Sequence, residues 1–152
     1  MIQHAIESVS PDDYAAITDV WEASVRATHY FLTEAHIQFF RPLVQHSYLK
    51  DVDLRCIRSE AGAIIGFAGV AGTRLEMLFI HPAARGQGTG RQLLRYAIET
   101  LGIYEVDVNE QNQQAVGFYE HMGFRTFHRA AVDSLGNPFP VLKMRLLRKT
   151  AR

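Results

Sequence analysis

The stretch "LEMLFIHPAARGQGTGRQLL", residues 75 to 94, limits what this chain can fold into more than any other part of it. An apolar run of strand length ends at His81-Pro82. Glycines follow at 86, 88 and 90, with Arg85 and Arg91 on either side, and then Leu93, Leu94, Ala97, Ile98 and Leu101 recur at helical spacing. Glycine has no Cβ and lets backbone amides approach a ligand closely. A helix that begins there aims unpaired N–H groups and the positive end of its dipole outwards. The combination suits an anion, most often a phosphate. A further strand, Tyr104 to Val108, completes a strand–helix–strand unit over 75 to 108, expected to be a right-handed parallel crossover.

The remaining segments fit around this unit. Ile2 to Glu7 reads as a short strand. Ser10, Pro11 and Asp13 in "SPDD" read as the cap, first position and capping-box acid of a helix carrying Tyr14, Ile17, Val20, Trp21 and Val25 on one face. Thr33 caps a second helix with Ile37, Phe40, Leu43 and Val44, which Pro42 is expected to kink or end. Leu54 to Arg58, Ile64 to Val70 and Leu75 to Ile80 read as strands. Asn112 to Met122 reads as a helix stopped by Gly123, and Phe124 to Val132 with Val141 to Leu147 as a hairpin turned by "DSLGNPFP". The order βααβββαβαββ is that of one α/β domain over residues 1–152. An edge strand in the final hairpin is open to pairing with another chain or to being covered.

Composition removes whole classes of function. Sixteen basic and sixteen acidic residues cancel, so net charge points to neither a nucleic-acid nor a membrane partner. The short basic tail "RLLRKTAR" reads as a solvated terminus. The start "MIQHAIESVSPDD" has no basic n-region and no apolar h-region, so no secretion signal is expected. No apolar run nears the roughly 20 residues of a membrane span. The single cysteine, Cys56, excludes an internal disulfide framework and fits a reducing, cytoplasmic setting. The histidines, His4, His29, His36, His46, His81, His121 and His128, show no metal-binding spacing, so no metal site is expected. A Ser–His–Asp hydrolase is unsupported without a G-x-S-x-G elbow.

The glycine loop does not match two familiar phosphate binders. A P-loop needs Lys-Ser/Thr after its last glycine, where this chain has Arg91-Gln92; a dinucleotide fold needs G-x-G-x-x-G, where this chain has G-x-G-x-G. What "RGQGTG" does resemble, through Arg85, Gly88 and Gly90 after a strand and before a helix, is the loop of the GNAT superfamily of N-acetyltransferases. "NEQNQQAVGFYEHMGF", residues 109 to 124, resembles a second signature of that superfamily, through Asn112, Ala115, Phe118, Tyr119, Gly123 and Phe124.

The resemblance implies a three-layer α/β domain whose central mixed sheet has two parallel strands splayed at their ends. Acetyl-coenzyme A is implied as cosubstrate, its pantetheine arm lying in the fork and meeting the backbone of Leu78, Phe79 and Ile80 as an added strand would. The pyrophosphate is implied to meet the amides of Arg85, Gly86, Gln87, Gly88, Thr89, Gly90 and Arg91, with Asn112 hydrogen-bonding the arm. Tyr119 corresponds to the family tyrosine that faces the coenzyme sulfur; a phenol protonated at neutral pH can donate to a departing thiolate. Its other reading is an aromatic on the buried face of a helix. Glu76 either takes the amine proton, directly or through water, or pairs with a neighbour such as Arg74.

The acceptor pocket is implied to come from "WEASVRATHYFLTEAHI", residues 21 to 37, with Trp21, Arg26, His29 and Phe31 as candidate lining. Trp21 and Phe31 also read as core aromatics, and His29 as a second base, a pocket wall or a helix-end cap. The activity implied is transfer of an acetyl group to an amine of a small molecule or a protein. The alternative is a sensor that binds acyl-coenzyme A without turnover.

Overall fold

A computed structural model describes residues 5–147. His4, with the start of the expected first strand, and the basic tail beyond Leu147 lie outside the described residues. The chain falls into two compact units, one up to Ile103 and one from Tyr104.

The first unit holds β1 (Ile6–Ser8), α1 (Tyr14–Thr28), α2 (Glu34–His46), β2 (Asp53–Arg58), β3 (Ile64–Ala71), β4 (Arg74–Ile80) and α3 (Thr89–Glu99). The four strands lie in sequence order and pair antiparallel. Side chains on β3 alternate between faces. Phe67, fully buried, joins Ile17, Val20, Trp21, Val25, Ile37 and Val44 on the α1–α2 side. A Cβ placed on the preceding Gly66 would stand 3.1 Å from Thr89 and 3.4 Å from Leu93 of α3, and 2.8 Å from Ile80. Helices thus cover both faces of this sheet, and glycine at 66 lets α3 approach closely.

Local chemistry sets the element ends. Pro11–Asp13 forms a single 3-10 turn ahead of α1, with the Ser10 N–H donating to the Asp13 carboxylate at 3.1 Å. Thr33 caps α2 through the His36 N–H at 3.2 Å, and His36 returns a ring nitrogen to the Thr33 N–H at 3.0 Å. The helix does not end at Pro42 but runs on to His46, its core contacts at Ile37 and Val44 lying on both sides of the proline. Packing outweighs the missing N–H. Arg41 bonds Asp19 and Glu22, both at 2.7 Å, and ties α2 to α1.

The second unit holds β5 (Glu105–Asn109), α4 (Gln113–His121), β6 (Phe124–Ala130) and β7 (Val141–Leu146). β7 lies between β5 and β6 and is antiparallel to both. Val106, Tyr119, Phe124, Phe139 and Met144 are buried. Directly opposed residues pair across β5 and β7, Asp107 with Lys143 at 3.2 Å and Glu105 with Arg145 at 2.9 Å. Such opposed charges help hold register.

Phe67→Ala removes a ring with no exposed surface and should cost about 3–5 kcal/mol. Phe39→Ala, 59% exposed, should stay within about 0.5 kcal/mol of the parent. Urea unfolding of both variants checks the contrast; equal midpoints would contradict this core.

Candidate active site

The end of β4 turns through Pro82–Ala84, where the Ala83 N–H donates to the His81 ring at 3.1 Å. The chain then passes Gly86 at φ 76° and Gly88 at φ 81°, a left-handed conformation that side chains disfavour, and enters α3 at Thr89. Gln92 is the first amide bonded within the helix, to the Gly88 carbonyl at 2.9 Å. The amides of Gly86, Gln87, Gly88, Thr89, Gly90 and Arg91 have no acceptor among the described residues. Consecutive N–H groups of this kind, at a helix start, form an anion-binding concavity. Arg85 and Arg91 are exposed beside it. The Thr89 side chain is buried toward Gly66, so only its amide faces the loop.

β4 leads into this loop and carries a bulge. Leu75 stands opposite Val70 and Met77 opposite Gly69, leaving Glu76 without a register partner. Glu76 is at the surface, with its carboxylate 3.5 Å from Arg74. The pairing with Arg74 therefore exists, and an exposed pair of this kind contributes little to stability. Beyond the bulge, Leu78, Phe79 and Ile80 oppose Ala68, Phe67 and Gly66. Met77 and Phe79 pack on the α1–α2 side, while Ile80 faces Gly66.

The junction of α1 and α2 lies over that same side. Trp21 is in the core. Arg26 is engaged with Glu34 through two bonds of 2.8 Å and with Glu22 at 2.9 Å, so its guanidinium holds the two helices together. Phe31 and Phe79 flank His29, with ring centroids 5.3 and 6.3 Å away. His29 is buried, and its Nδ1 lies 2.8 Å from the Thr28 hydroxyl. Burial first, and then the positive charge of Arg85, push its pKa down from 6.5 to about 4. The imidazole is therefore neutral at physiological pH.

In the second unit, Asn112 caps α4, its side-chain oxygen accepting the Ala115 N–H at 3.2 Å. That oxygen keeps a second lone pair, and the side-chain NH₂ has no partner among the described residues. Tyr119 is buried against Phe118 and Phe124, centroids 5.3 and 5.8 Å away. Burial raises the pKa of its phenol, which keeps the proton on oxygen across the working pH range. No sealed side-chain oxygen or nitrogen among the described residues lacks a partner, and the Tyr119 hydroxyl has none among them. The hydroxyl therefore still reaches the outside. Among the described residues no group of His, Cys, Asp and Glu could hold a metal ion, and no helix is long and apolar enough to cross a membrane.

Sequence reasoning missed Thr28, which orients His29, and the bulge at Glu76. The spacing of Ser24, Thr28 and His29 at the end of a helix was the available signal for the first. The second depends on the register of a partner strand and leaves none.

A strand, an amide cradle opening a helix, and a buried phenol on a short capped helix are the parts of a GNAT acyltransferase. The family model for the acetyltransferase (GNAT) domain matches residues 53–126. The peptidyl-lysine N-acetyltransferase YjaB of Salmonella typhimurium is 39% identical over 125 residues, covering 82% of this chain and 86% of that protein. The peptidyl-lysine N-acetyltransferase YiaC of Escherichia coli is 30% identical over 139 residues, covering 91% and 92%. The solution structure of apo YjaB from Escherichia coli aligns with a TM-score of 0.87 at 34% identity, over 97% of this chain and all of that one (100%). The paia N-acetyltransferase of Thermoplasma acidophilum, solved in complex with coenzyme A, shares the fold at a TM-score of 0.73 and 19% identity, over 95% and 99%. This chain belongs to the GNAT superfamily. It is an N-acetyltransferase that moves the acetyl group of acetyl-coenzyme A to an amine.

The state of His29 has a consequence for stability. The unfolded chain takes up a proton near pH 6.5 that the folded chain refuses until about pH 4, so acidification through that window favours unfolding. Between about pH 7.5 and about pH 5 this site should remove about 2 kcal/mol of stability. His29→Gln stays neutral throughout and should lose correspondingly less. Urea midpoints at the two pH values test this; parallel losses in parent and variant would refute the neutral buried imidazole.

Proposed function

We propose that the acceptor is the ε-amino group of a lysine in a protein, and that the whole chain works as a single acetyltransferase domain. The observation that carries the acceptor class is the similarity, at 39% and 30% identity over most of the chain, to two proteins named peptidyl-lysine N-acetyltransferases. A cytosolic setting belongs to this reading and suits the free thiol of Cys56.

In this mechanism the amides of residues 86 to 91, with Arg85, take the coenzyme diphosphate, and their lack of other acceptors supports that role. The backbone of Leu78, Phe79 and Ile80 holds the pantetheine arm, and the amide near Leu78 polarises the thioester carbonyl. Asn112 donates to the arm through its side-chain NH₂. A lysine amine, with an ordinary pKa near 10.4, must first lose a proton; Glu76 takes it through water, which its exposed carboxylate permits. The amine nitrogen then forms the N–C bond, and the oxyanion collapses as the C–S bond breaks with its electron pair on sulfur. Tyr119 donates its phenolic proton to that sulfur and recovers one from solvent, while the new amide nitrogen sheds one. Products are the N-acetyl-lysine and free coenzyme A.

Tyr119→Phe should lower kcat by about 10²-fold or more while leaving coenzyme affinity unchanged. Thiol release from acetyl-coenzyme A with a lysine peptide, alongside calorimetric binding, measures both; a loss confined to affinity would make Tyr119 a packing residue. Gly88→Trp places a side chain where φ is 81° and a ligand must pass, and should abolish coenzyme binding. Undiminished affinity would remove the loop from the site. Release with polyamines but none with lysine peptides would overturn the acceptor class.

A further inference from the structure

The surroundings of His29 determine which of its nitrogens carries the proton. The Thr28 hydroxyl lies 2.8 Å from the Ser24 carbonyl, four residues back along α1, and 2.8 Å from His29 Nδ1. A carbonyl oxygen only accepts, so the single hydroxyl hydrogen goes to Ser24. The remaining lone pair of that hydroxyl can satisfy Nδ1 only if Nδ1 donates. One chain of bonds meets every requirement: Nδ1–H to Thr28, Thr28 to Ser24. Nε2 is then an unprotonated lone pair.

That lone pair has no partner among the described residues, and because no sealed polar side-chain atom is left unpaired, it still reaches outside the protein. The groups facing the ring are Thr28 from α1, Phe31 from the junction and Phe79 from β4, with Arg85 of the glycine loop the charged group that acts on it. Phe79 belongs to the stretch assigned above to the thioester arm. A fixed acceptor among aromatic rings welcomes a donor N–H and turns away carboxylates and carbonyls, which only accept.

We propose that His29 positions the acceptor amine: Nε2 accepts one N–H of the incoming amine and turns the nitrogen lone pair toward the thioester carbon. This rests on acetyl transfer to an amine as read above. His29 makes and breaks no covalent bond in the step; it holds the nucleophile in a near-attack arrangement. Thr28 is the second residue of the device, since it fixes the tautomer.

Nitrogen NMR of the full chain with labelled histidine tests the device directly. The expected spectrum at about pH 7.5 is a neutral His29 protonated on Nδ1, whose Nε2 signal moves when butylamine is added to protein loaded with a non-reactive thioether analogue of acetyl-coenzyme A. A ring protonated on Nε2, or an Nε2 signal indifferent to butylamine, overturns the proposal. In kinetics, His29→Ala should lower kcat/KM for a lysine peptide by about 10²-fold with acetyl-coenzyme A affinity unchanged. His29→Gln, which keeps an oxygen acceptor in place of Nε2, should recover to within about 10-fold of the parent. Equal losses in the two variants, or no loss in His29→Ala, also overturn it. If the parent releases no thiol for any amine, the acetyl-transfer reading fails instead, and the tautomer and the butylamine response still decide the role of His29. Should His29→Ala not fold, the spectra and the kinetics of His29→Gln decide the role of His29 without it.

Discussion

Backbone amides lose their water when a chain folds and need an acceptor in exchange. From Gly86 to Arg91 the acceptors are withheld, and the first helical bond waits until Gln92. This deficit is tolerable because the loop is at the surface, where water can serve as acceptor. It requires a rigid approach, provided by the turn at Pro82–Ala84 under its His81 cap, and a rigid exit, provided by Thr89 buried toward Gly66. Glycine at 66 is as much a part of the loop as the glycines within it: a side chain there would push α3, and the N–H groups it carries, away from β3.

β4 sorts the chemistry by its alternation. Beyond the bulge at Glu76, Met77 and Phe79 face α1 and α2 while Ile80 faces Gly66 and α3. The aromatic side gathers Phe67, Phe79, His29 and Phe31. A one-residue slip of β4 would exchange the two sides and place Ile80 where Phe79 meets His29. The bulge matters for the same reason, since it resets the alternation just before the residues that use it.

Much of this architecture was legible from periodicity and caps. All eleven helices and strands appear in the expected order, with ends within a few residues apart from the start of β1, which lies outside the described residues, because hydrophobic spacing reports which face is buried and Thr33 and Gly123 mark helix ends by local bonding. The loop from Arg85 to Arg91 was legible because left-handed backbone demands glycine. What stayed hidden depends on partners distant in sequence or on competition between side chains. Pro42 is expected to kink or end its helix, and it does not end it: core contacts on both sides carry α2 past it. Arg26 looked available to a ligand, yet Glu34, eight residues on, engages it with two bonds. Asn112 reads in sequence as reaching toward a coenzyme, whereas its side-chain oxygen also accepts the Ala115 N–H and starts α4. Glu76 stands out in sequence as a carboxylate in an apolar strand; the bulge that takes it out of register appears only when β3 and β4 are paired.

Arg85 joins the two chemistries of the first unit. Its own N–H, expected to join the amide cradle, goes instead to the Pro82 carbonyl at 3.3 Å; its charge is one of the two causes that lower the proton affinity of His29. The larger cause, burial, is indifferent to what occupies the loop, but the second is not. An anion held at these amides offsets the Arg85 charge and lets the proton affinity of His29 rise part of the way back. The sign suits the order of events: with the loop empty, the imidazole is held firmly neutral and its lone pair stays open. In the proposed mechanism, a diphosphate at the loop makes the same nitrogen a stronger acceptor when an amine N–H needs one. Since burial is untouched, the ring still stops short of its ordinary basicity, and strengthening a hydrogen bond is a different act from carrying a proton away. In the proposed mechanism proton removal falls to Glu76, whose carboxylate is exposed to water, while the imidazole, its proton affinity lowered by burial, keeps to accepting an N–H.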